Sequence, residues 1–263
     1  MPELWNNLLV NPLFNLIFVF YRLTGSLGVS IILLTLIIRA VLVPIMLPSL
    51  RALKKQQDLQ PEIEKIKLKF KHDKKKQAEM QMELFKKHGI NPASGCSTQI
   101  IMILVLIALY GVIRKFTLGA SIDELNAHVY FNSLKLIEGE SINTNFLYMD
   151  LAKPDPFFIL AILAGLFQLI SSKMTMPFVE QGEKAAKKTP GKSDDLAYNM
   201  QQQMLYTMPI MNVLIGLTLP SGVVLYMVVT TIFSIAQSYF VSGWGGLKPW
   251  IHKVRRILKP RTI

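Results

Sequence analysis

Hydrophobic residues along this chain gather into long runs separated by polar, mostly basic segments. A helix that crosses a bilayer needs about 20 predominantly apolar residues. Five windows approach that: Leu27–Pro48, Ser97–Thr117, Phe157–Met176, Met204–Leu219 and Ser221–Ser242, none containing Asp or Glu. The fourth is short, covering about 24 Å at 1.5 Å per residue against a hydrocarbon core of about 30 Å. Either the bilayer thins there or the helix takes in the polar residues Gln201–Gln203 at its start. A further apolar stretch, Leu8–Phe20, is interrupted by Pro12 and Asn15. At about 13 residues it reads as an interfacial helix, with a sixth span as the alternative.

The segment 49–94 carries a different pattern. Leu59, Ile63, Ile66 and Phe70 recur at helical spacing, and Ala78, Met82 and Phe85 repeat it. Lys71-His72-Asp73-Lys74 lies between them as a polar break; Pro61 suits a first helical turn and Gly89 a C-terminal cap. Two matched seams predict a helical hairpin that zips its apolar faces together; a solvated, partly helical linker is the alternative. No long internal repeat is visible, which weakens transporter folds built from duplicated halves.

Composition supports the membrane reading. Of 263 residues 51% are hydrophobic and only 17% charged, where a soluble domain carries roughly 25% charged residues. An ordinary soluble enzyme and a disordered chain are both excluded. The single cysteine, Cys96, rules out an internal disulfide and any CxxC motif, and His72, His88, His128 and His252 show no ligand spacing. The net charge of +12 alternates with the apolar windows. It therefore points to topology, with anionic lipid or ribosomal RNA as partners and no specific DNA binding.

Basic residues set the orientation. Segment 49–94 holds 12 Lys and Arg, 177–203 holds four and 243–263 holds six. Segment 118–156 has only Lys135 and Lys153 against six acids, and residues 1–26 have only Arg22. The positive-inside rule then predicts five crossings in an all-α polytopic protein. Residues 1–26 form an extracytoplasmic N-terminus with an interfacial helix, followed by span 27–48 and the cytoplasmic hairpin 49–94. Span 97–117, the extracytoplasmic loop 118–156, span 157–176 and the cytoplasmic loop 177–203 come next. Spans 204–219 and 221–242 then lead to a basic cytoplasmic tail, 243–263.

Arg39 lies near the middle of the first span. An arginine at mid-bilayer costs roughly 2.5–3.5 kcal/mol even on the lenient insertion scale. No span offers a carboxylate, and nine span residues on its cytoplasmic side make snorkelling awkward. Two solutions remain. Either the inner half of the bundle is a hydrated cavity faced by Arg39, or the guanidinium bonds helix carbonyls freed near Pro44 and Pro48. In the fifth span Met227, Thr230, Thr231, Ser234, Gln237 and Ser238 share one helical face. Thr35 precedes Arg39 by one turn; Gln99, Gln168, Ser172 and Asn212 add polar groups from the second, third and fourth spans. Singly such residues are packing glue; together with the arginine they predict a hydrophilic groove able to hold a polar or acidic segment. No nucleophile–base pair, metal set, phosphate loop or paired intramembrane acids accompany them, so no enzyme activity and no cofactor are expected.

Several strings in order resemble a known family. GSLGVSIILLTLIIRAVLVPIMLPSL followed by LQPEIEKIKLKF is similar to the first span and cytoplasmic hairpin of the YidC/Oxa1/Alb3 membrane insertases. HGINPASGCSTQIIMILVLIALYGVI resembles the second span, FLYMDLAKPDPFFILAILAG the entry to the third, and MPIMNVLIGLTLPSGVVLYMVVTTIFSIAQ the fourth and fifth. The resemblance covers roughly residues 11–242 and is to the short bacterial form. It implies a five-helix bundle around a hydrophilic groove, open to the cytoplasm and lipid and closed outside, in the bacterial cytoplasmic (inner) membrane. A positive residue of the first span sits in that groove, matching Arg39, and the hairpin at about Arg51–His88 receives or recruits substrates. The implied activity is insertion and folding of small, newly made membrane proteins, alone or with the Sec translocon and the ribosome, without nucleotide or cofactor.

Two departures concern the groove. Where many members read GCLPxxxQxP, this chain has Gly95-Cys96-Ser97-Thr98, then Met102 and Leu104, with Gln99 one turn before the usual glutamine. The aromatic that often follows Leu-Tyr in the fifth span is Met227, whose flexible thioether suits varied apolar helices. The tail from Lys248 is brief, reading as an anchor on anionic lipid or a short ribosome contact. A small-anion transporter using Arg39, a Sec-dependent helper and a membrane assembly scaffold are the rival functions.

Overall fold

In the computed structural model, which describes residues 2–70, 73–90, 94–117, 122–137, 140, 142–175, 196–248 and 251, each apolar window lies mainly within a helix. The chain divides into two compact units. The first comprises residues 1–43, 98–167 and 209–233, the second 44–97, 168–208 and 234–263. Five long helices contribute to both: α3 (Leu27–Asp58), α6 (Ser94–Thr117), α8 (Ile159–Thr175), α9 (Leu196–Thr218) and α10 (Ser221–Ser242).

The first unit begins with α1 (Pro2–Trp5), a π-helical turn (Asn6–Val10) and α2 (Asn11–Thr24). The break expected at Pro12 and Asn15 does not occur. Pro12 sits in the first turn of α2, where its missing N–H costs nothing. Asn15 is buried and works across the fold: its amide donates to the His128 carbonyl (2.8 Å) and its oxygen accepts from the Tyr130 N–H (2.8 Å). Gly25, in the left-handed conformation (φ 66°), ends the helix by donating to the Tyr21 carbonyl. Phe14, Ile17 and Phe18 are fully buried, and Phe14 stacks on Phe116 of α6 with centroids 4.8 Å apart. The continuous run Asn6–Thr24 is thereby long and apolar enough to cross a membrane, as are α3 and α10 among the described residues. Ile159–Thr175 and Leu205–Thr218 are shorter apolar helices.

A cap of irregular chain follows α6 in this unit. It holds α7 (Ile122–Asn126) and a two-stranded antiparallel hairpin, β1 (Asn145–Phe146) and β2 (Met149–Asp150). Phe146 lays its ring where a side chain on Gly28 would stand, so only glycine fits at the start of α3. Leu151, fully buried, accepts from the Gly222 N–H (3.1 Å), and the Lys153 carbonyl accepts from the Ser221 N–H (2.8 Å) and hydroxyl (2.6 Å). The first turn of α10 is thus tied to the loop. Eight consecutive residues, Ser221–Val228, are buried, which places this end of α10 at the centre of the unit. Asp155, 2% exposed, accepts from the Phe157 N–H (3.0 Å), the Leu160 N–H (2.7 Å) and the Tyr148 hydroxyl (3.0 Å), capping α8.

The second unit contains the polar half of the chain. α3 does not stop at Pro48 but continues to Asp58, because Arg51, Lys54, Lys55, Gln56 and Gln57 are good helix formers. At 1.5 Å per residue its 32 residues extend about 48 Å, beyond a hydrocarbon core of about 30 Å. α4 (Gln60–Lys69) and α5 (Lys74–Lys87) follow as a packed pair. Asp73 caps α5 by accepting from the Lys76 N–H (2.9 Å), and the Gln77 amide donates to the Phe70 carbonyl (2.7 Å). Their core is Leu59, Ile63, Phe85 and Ile90 with Leu84 packed against it. Ile66 and Phe70 are half-buried, while Ala78 and Met82 are exposed; the second seam runs through Leu84 and Phe85 instead. Lys71 and His72 of the turn lie outside the described residues. α9 reaches back through Gln201–Gln203 to Leu196, so the fourth helix takes in the polar residues and spans 23 residues. The remainder of the 177–203 loop, up to residue 195, lies outside the described residues.

Candidate functional site

Arg39 is 4% exposed within a helix whose neighbouring residues are apolar. Burial of a guanidinium is costly unless polar groups meet it. In the first unit the partner identified is on α10, where Tyr226, itself 3% exposed, interacts electrostatically with Arg39. Tyr226 also interacts with Thr230, one turn on. The arginine therefore meets α10 at Tyr226.

Tyr226 was missed by sequence reasoning, which followed the Thr, Ser and Gln positions. The signal was present: residues 226, 230, 234 and 237 follow +4, +4, +3 spacing, one stripe of a helix. A buried tyrosine that brings a hydroxyl to such a stripe needs a partner for it.

The other expected residues divide between the units. In the first, Thr35 is fully buried one turn before Arg39 and donates to the Ile31 carbonyl (2.6 Å). Thr231 likewise donates to the Met227 carbonyl (2.8 Å), so both hydroxyls are spent on their own helix. Met227 is buried; Thr230, Met102 and Asn212 are half-buried. The side chain of Gln99 lies outside the described residues. In the second unit, Gln168 donates to the Ser172 hydroxyl at 3.4 Å, and Ser234 is half-buried. Gln237 and Ser238 are buried, and the Gln237 amide nitrogen has no hydrogen-bond partner among the described residues.

The arrangement can hold and orient charge. Among the described residues no group of three His, Cys, Asp or Glu is placed to bind a metal ion.

The acidic loop is tied to α2 by an ion pair. Arg22 bridges Glu140 and also donates to the Lys135 carbonyl (2.6 Å). Hydrogen bonding to the Ile137 N–H, aided by Arg22, lowers the Glu140 carboxyl below its usual value. Lys115 Nζ lies 2.8 Å from His128 Nε2, and burial together with that ammonium lowers the imidazole. His128 therefore stays neutral and accepts from the lysine.

A family model described as 60Kd inner membrane protein matches residues 19–245. The chain is 33% identical over 252 residues to the membrane protein insertase MisCA of Bacillus subtilis (strain 168), covering 92% of this chain and 80% of that protein. It is 31% identical over 224 residues to a membrane protein insertase YidC from Fusobacterium nucleatum subsp. nucleatum, covering 85% and 90%. To the membrane protein insertase YidC 2 of Bacillus anthracis it is 33% identical over 247 residues, covering 91% and 82%.

Proposed function

The chain belongs to the 60Kd inner membrane protein family, that of the YidC insertases, and from that premise we propose that it inserts small membrane proteins into the bacterial inner membrane and helps them fold. The observation that carries this reading is Arg39, buried in an apolar helix beside Tyr226 of α10. Its substrates are newly made membrane proteins. The Sec translocon, the ribosome and anionic lipids are its further partners in this reading, with the N-terminus outside, five crossings and the C-terminus in the cytoplasm.

The mechanism is a lowered barrier. A polar flank of a substrate must cross about 30 Å of hydrocarbon and loses hydration at each polar group. A hydrated groove at Arg39 and Thr230 shortens that path. Arg39 attracts acidic residues of the substrate tail. The apolar part of the substrate then leaves sideways into lipid, where burial supplies the free energy at about 25 cal/mol per Å². No nucleotide or ion gradient enters.

The test is reconstitution in liposomes without any Sec component, reading protease protection of a single-span substrate with an acidic tail. Protection above empty liposomes supports an autonomous insertase. Arg39→Met should slow insertion of acidic-tailed substrates and spare neutral ones while leaving thermal stability unchanged or raised, since a buried charge is often replaced by an apolar side chain at no cost. Equal loss for both substrates would overturn charge attraction. No protection by folded protein would shift the reading to a Sec-dependent helper or an assembly scaffold.

A further inference from the structure

Among the described residues only two that are not glycine take up the left-handed backbone region, Leu147 (φ 54°) and Phe158 (φ 58°). A large side chain crowds the backbone there, so the conformation ordinarily falls to glycine or asparagine. Leu147 is the first residue of the two-residue turn between β1 and β2, a place where a positive φ selects glycine. Neither side chain is buried in return: Leu147 is 83% exposed, and Phe158 is exposed as well. Strain that yields no core contact points to a task at the surface.

Their chain neighbours, Tyr148 and Phe157, join them into one patch. Those two rings are exposed and in contact, with centroids 5.8 Å apart. On either side of the turn the side chains go inward, Phe146 against Gly28 of α3 and Met149 into the core. Asp155 fixes the other half of the patch. Its carboxylate accepts from the Phe157 N–H, the Leu160 N–H and the Tyr148 hydroxyl, and its carbonyl accepts from the Phe158 N–H (3.2 Å). The one polar atom among the four side chains, the Tyr148 hydroxyl, is thus directed to a buried carboxylate. The nearby charges of Asp150 and Lys153 pair with each other (3.2 Å). What the patch presents outward is apolar and held in place.

Its position names what covers it. α8 begins immediately after Phe158, and Ile159, Ile162 and Leu166 are exposed along it at +3 and +4 spacing, one stripe of the helix. The exposed apolar surface of α8 therefore runs without a polar break into Phe158 and Phe157, and on to Tyr148 and Leu147. With 17 residues α8 covers about 26 Å, against a hydrocarbon core of about 30 Å. A short span leaves hydrocarbon uncovered at its ends, and the patch stands at one of them. Aromatic rings favour that depth, where acyl chains meet headgroups. We propose that Leu147, Tyr148, Phe157 and Phe158 form a preformed foot that seats in the lipid surface of the outer leaflet and extends the lipid-facing side of α8. The inference rests on the reading that α8 crosses the membrane with the preceding loop outside, and not on insertase activity.

Fluorescence quenching at two depths tests it. The chain's own tryptophans, Trp5, Trp244 and Trp250, are replaced by phenylalanine. Single reporters are then introduced at exposed positions by Leu147→Trp, Phe157→Trp or, midway along α8, Leu166→Trp. The protein is reconstituted in phosphatidylcholine vesicles whose acyl chains are brominated near the headgroup or near the methyl end. Leu147→Trp and Phe157→Trp should lose more emission to the shallow bromines, and Leu166→Trp more to the deep ones. Quenching of Leu166→Trp with neither loop reporter quenched would overturn the proposal and leave the patch to a protein partner or to water. No quenching of any of the three would overturn the crossing of α8, and the proposal with it. Leu147→Gly separates seating from packing. Glycine accepts the positive φ freely, so the melting temperature in detergent should hold or rise, while Phe157→Trp in the same chain loses less emission to shallow bromines. A lower melting temperature with unchanged quenching would assign Leu147 to packing within the loop and overturn the proposal.

Discussion

The two units of this molecule are stabilised in different ways. Among the described residues, eleven of the twelve largest fully buried side chains belong to the first unit and only Met174 to the second. The first unit has an apolar core of Phe14, Phe18, Leu34, Ile113 and their neighbours, closed at one end by a loop whose backbone is bonded to α10 through Ser221 and Gly222. The second relies on caps and clasps: Asp73 on α5, Gln57 on α8, and an apolar cluster of only four buried residues in the helix pair. The lesson is that one chain combines two ways of holding helices. The first unit seals its core with close-packed apolar volume; the second fixes its helices at exposed caps, where local opening is easier.

Breaking the seal should give the largest effect. Leu151→Ala removes a fully buried side chain at the junction of the cap and α10, and should cost about 2–5 kcal/mol, read as a clear fall in the melting temperature of purified protein. Next is Asp155→Ala, which leaves two N–H groups at the start of α8 and the Tyr148 hydroxyl without their acceptor. A loss of about 1–3 kcal/mol is expected. The same contact makes a spectroscopic prediction. Burial and the hydrogen bond to Asp155 push the Tyr148 phenol up to about 12, so its ultraviolet titration should trail that of the ordinary tyrosines and return towards 10 in Asp155→Ala.

In the second unit the comparison sharpens differently. Phe85→Ala should open α4 and α5 to protease and speed hydrogen exchange across residues 60–90, because it removes one of four buried residues there. The main thermal transition, set by the first unit, should stay in place. A common shift of both signals would mean that the units unfold as one and that the contrast drawn between them is wrong.

Much of this contrast was legible in the sequence, and the exceptions have physical causes. Apolar windows and the seam residues Leu59, Ile63 and Phe85 announce themselves because burial and periodicity coincide. The extension of α3 to Asp58 does not, since hydropathy falls at Ser49 while helix propensity remains high. Asn15 looked like a break because its partners, His128 and Tyr130, are more than a hundred residues away. The cap is equally hidden: strands of two residues carry no periodic signal, and Leu151 is indistinguishable from any loop leucine until Gly222 meets it. Arg39 was conspicuous as a charge in an apolar run, whereas its neighbour Tyr226 was camouflaged among apolar residues.

The smallest expected effect concerns pH and again separates the units. His128 is held below its ordinary value by burial and by Lys115, so the folded state favours the neutral ring. Above the unfolded value of about 6.5 both states are neutral and the Lys115 contact contributes in full. As pH falls below that value the unfolded chain takes up a proton that the folded chain resists, and stability declines. His128 is only half-buried, so solvent screening keeps the change below about 1 kcal/mol. Melting curves between pH 7.5 and 5 should show a shallow fall in the transition of the first unit. His128→Gln, whose amide oxygen accepts from Lys115 without titrating, should flatten that slope while leaving the value at pH 7.5 nearly unchanged. A slope that persists in His128→Gln would move the titration to another group and leave the Lys115 contact without a role in acid stability.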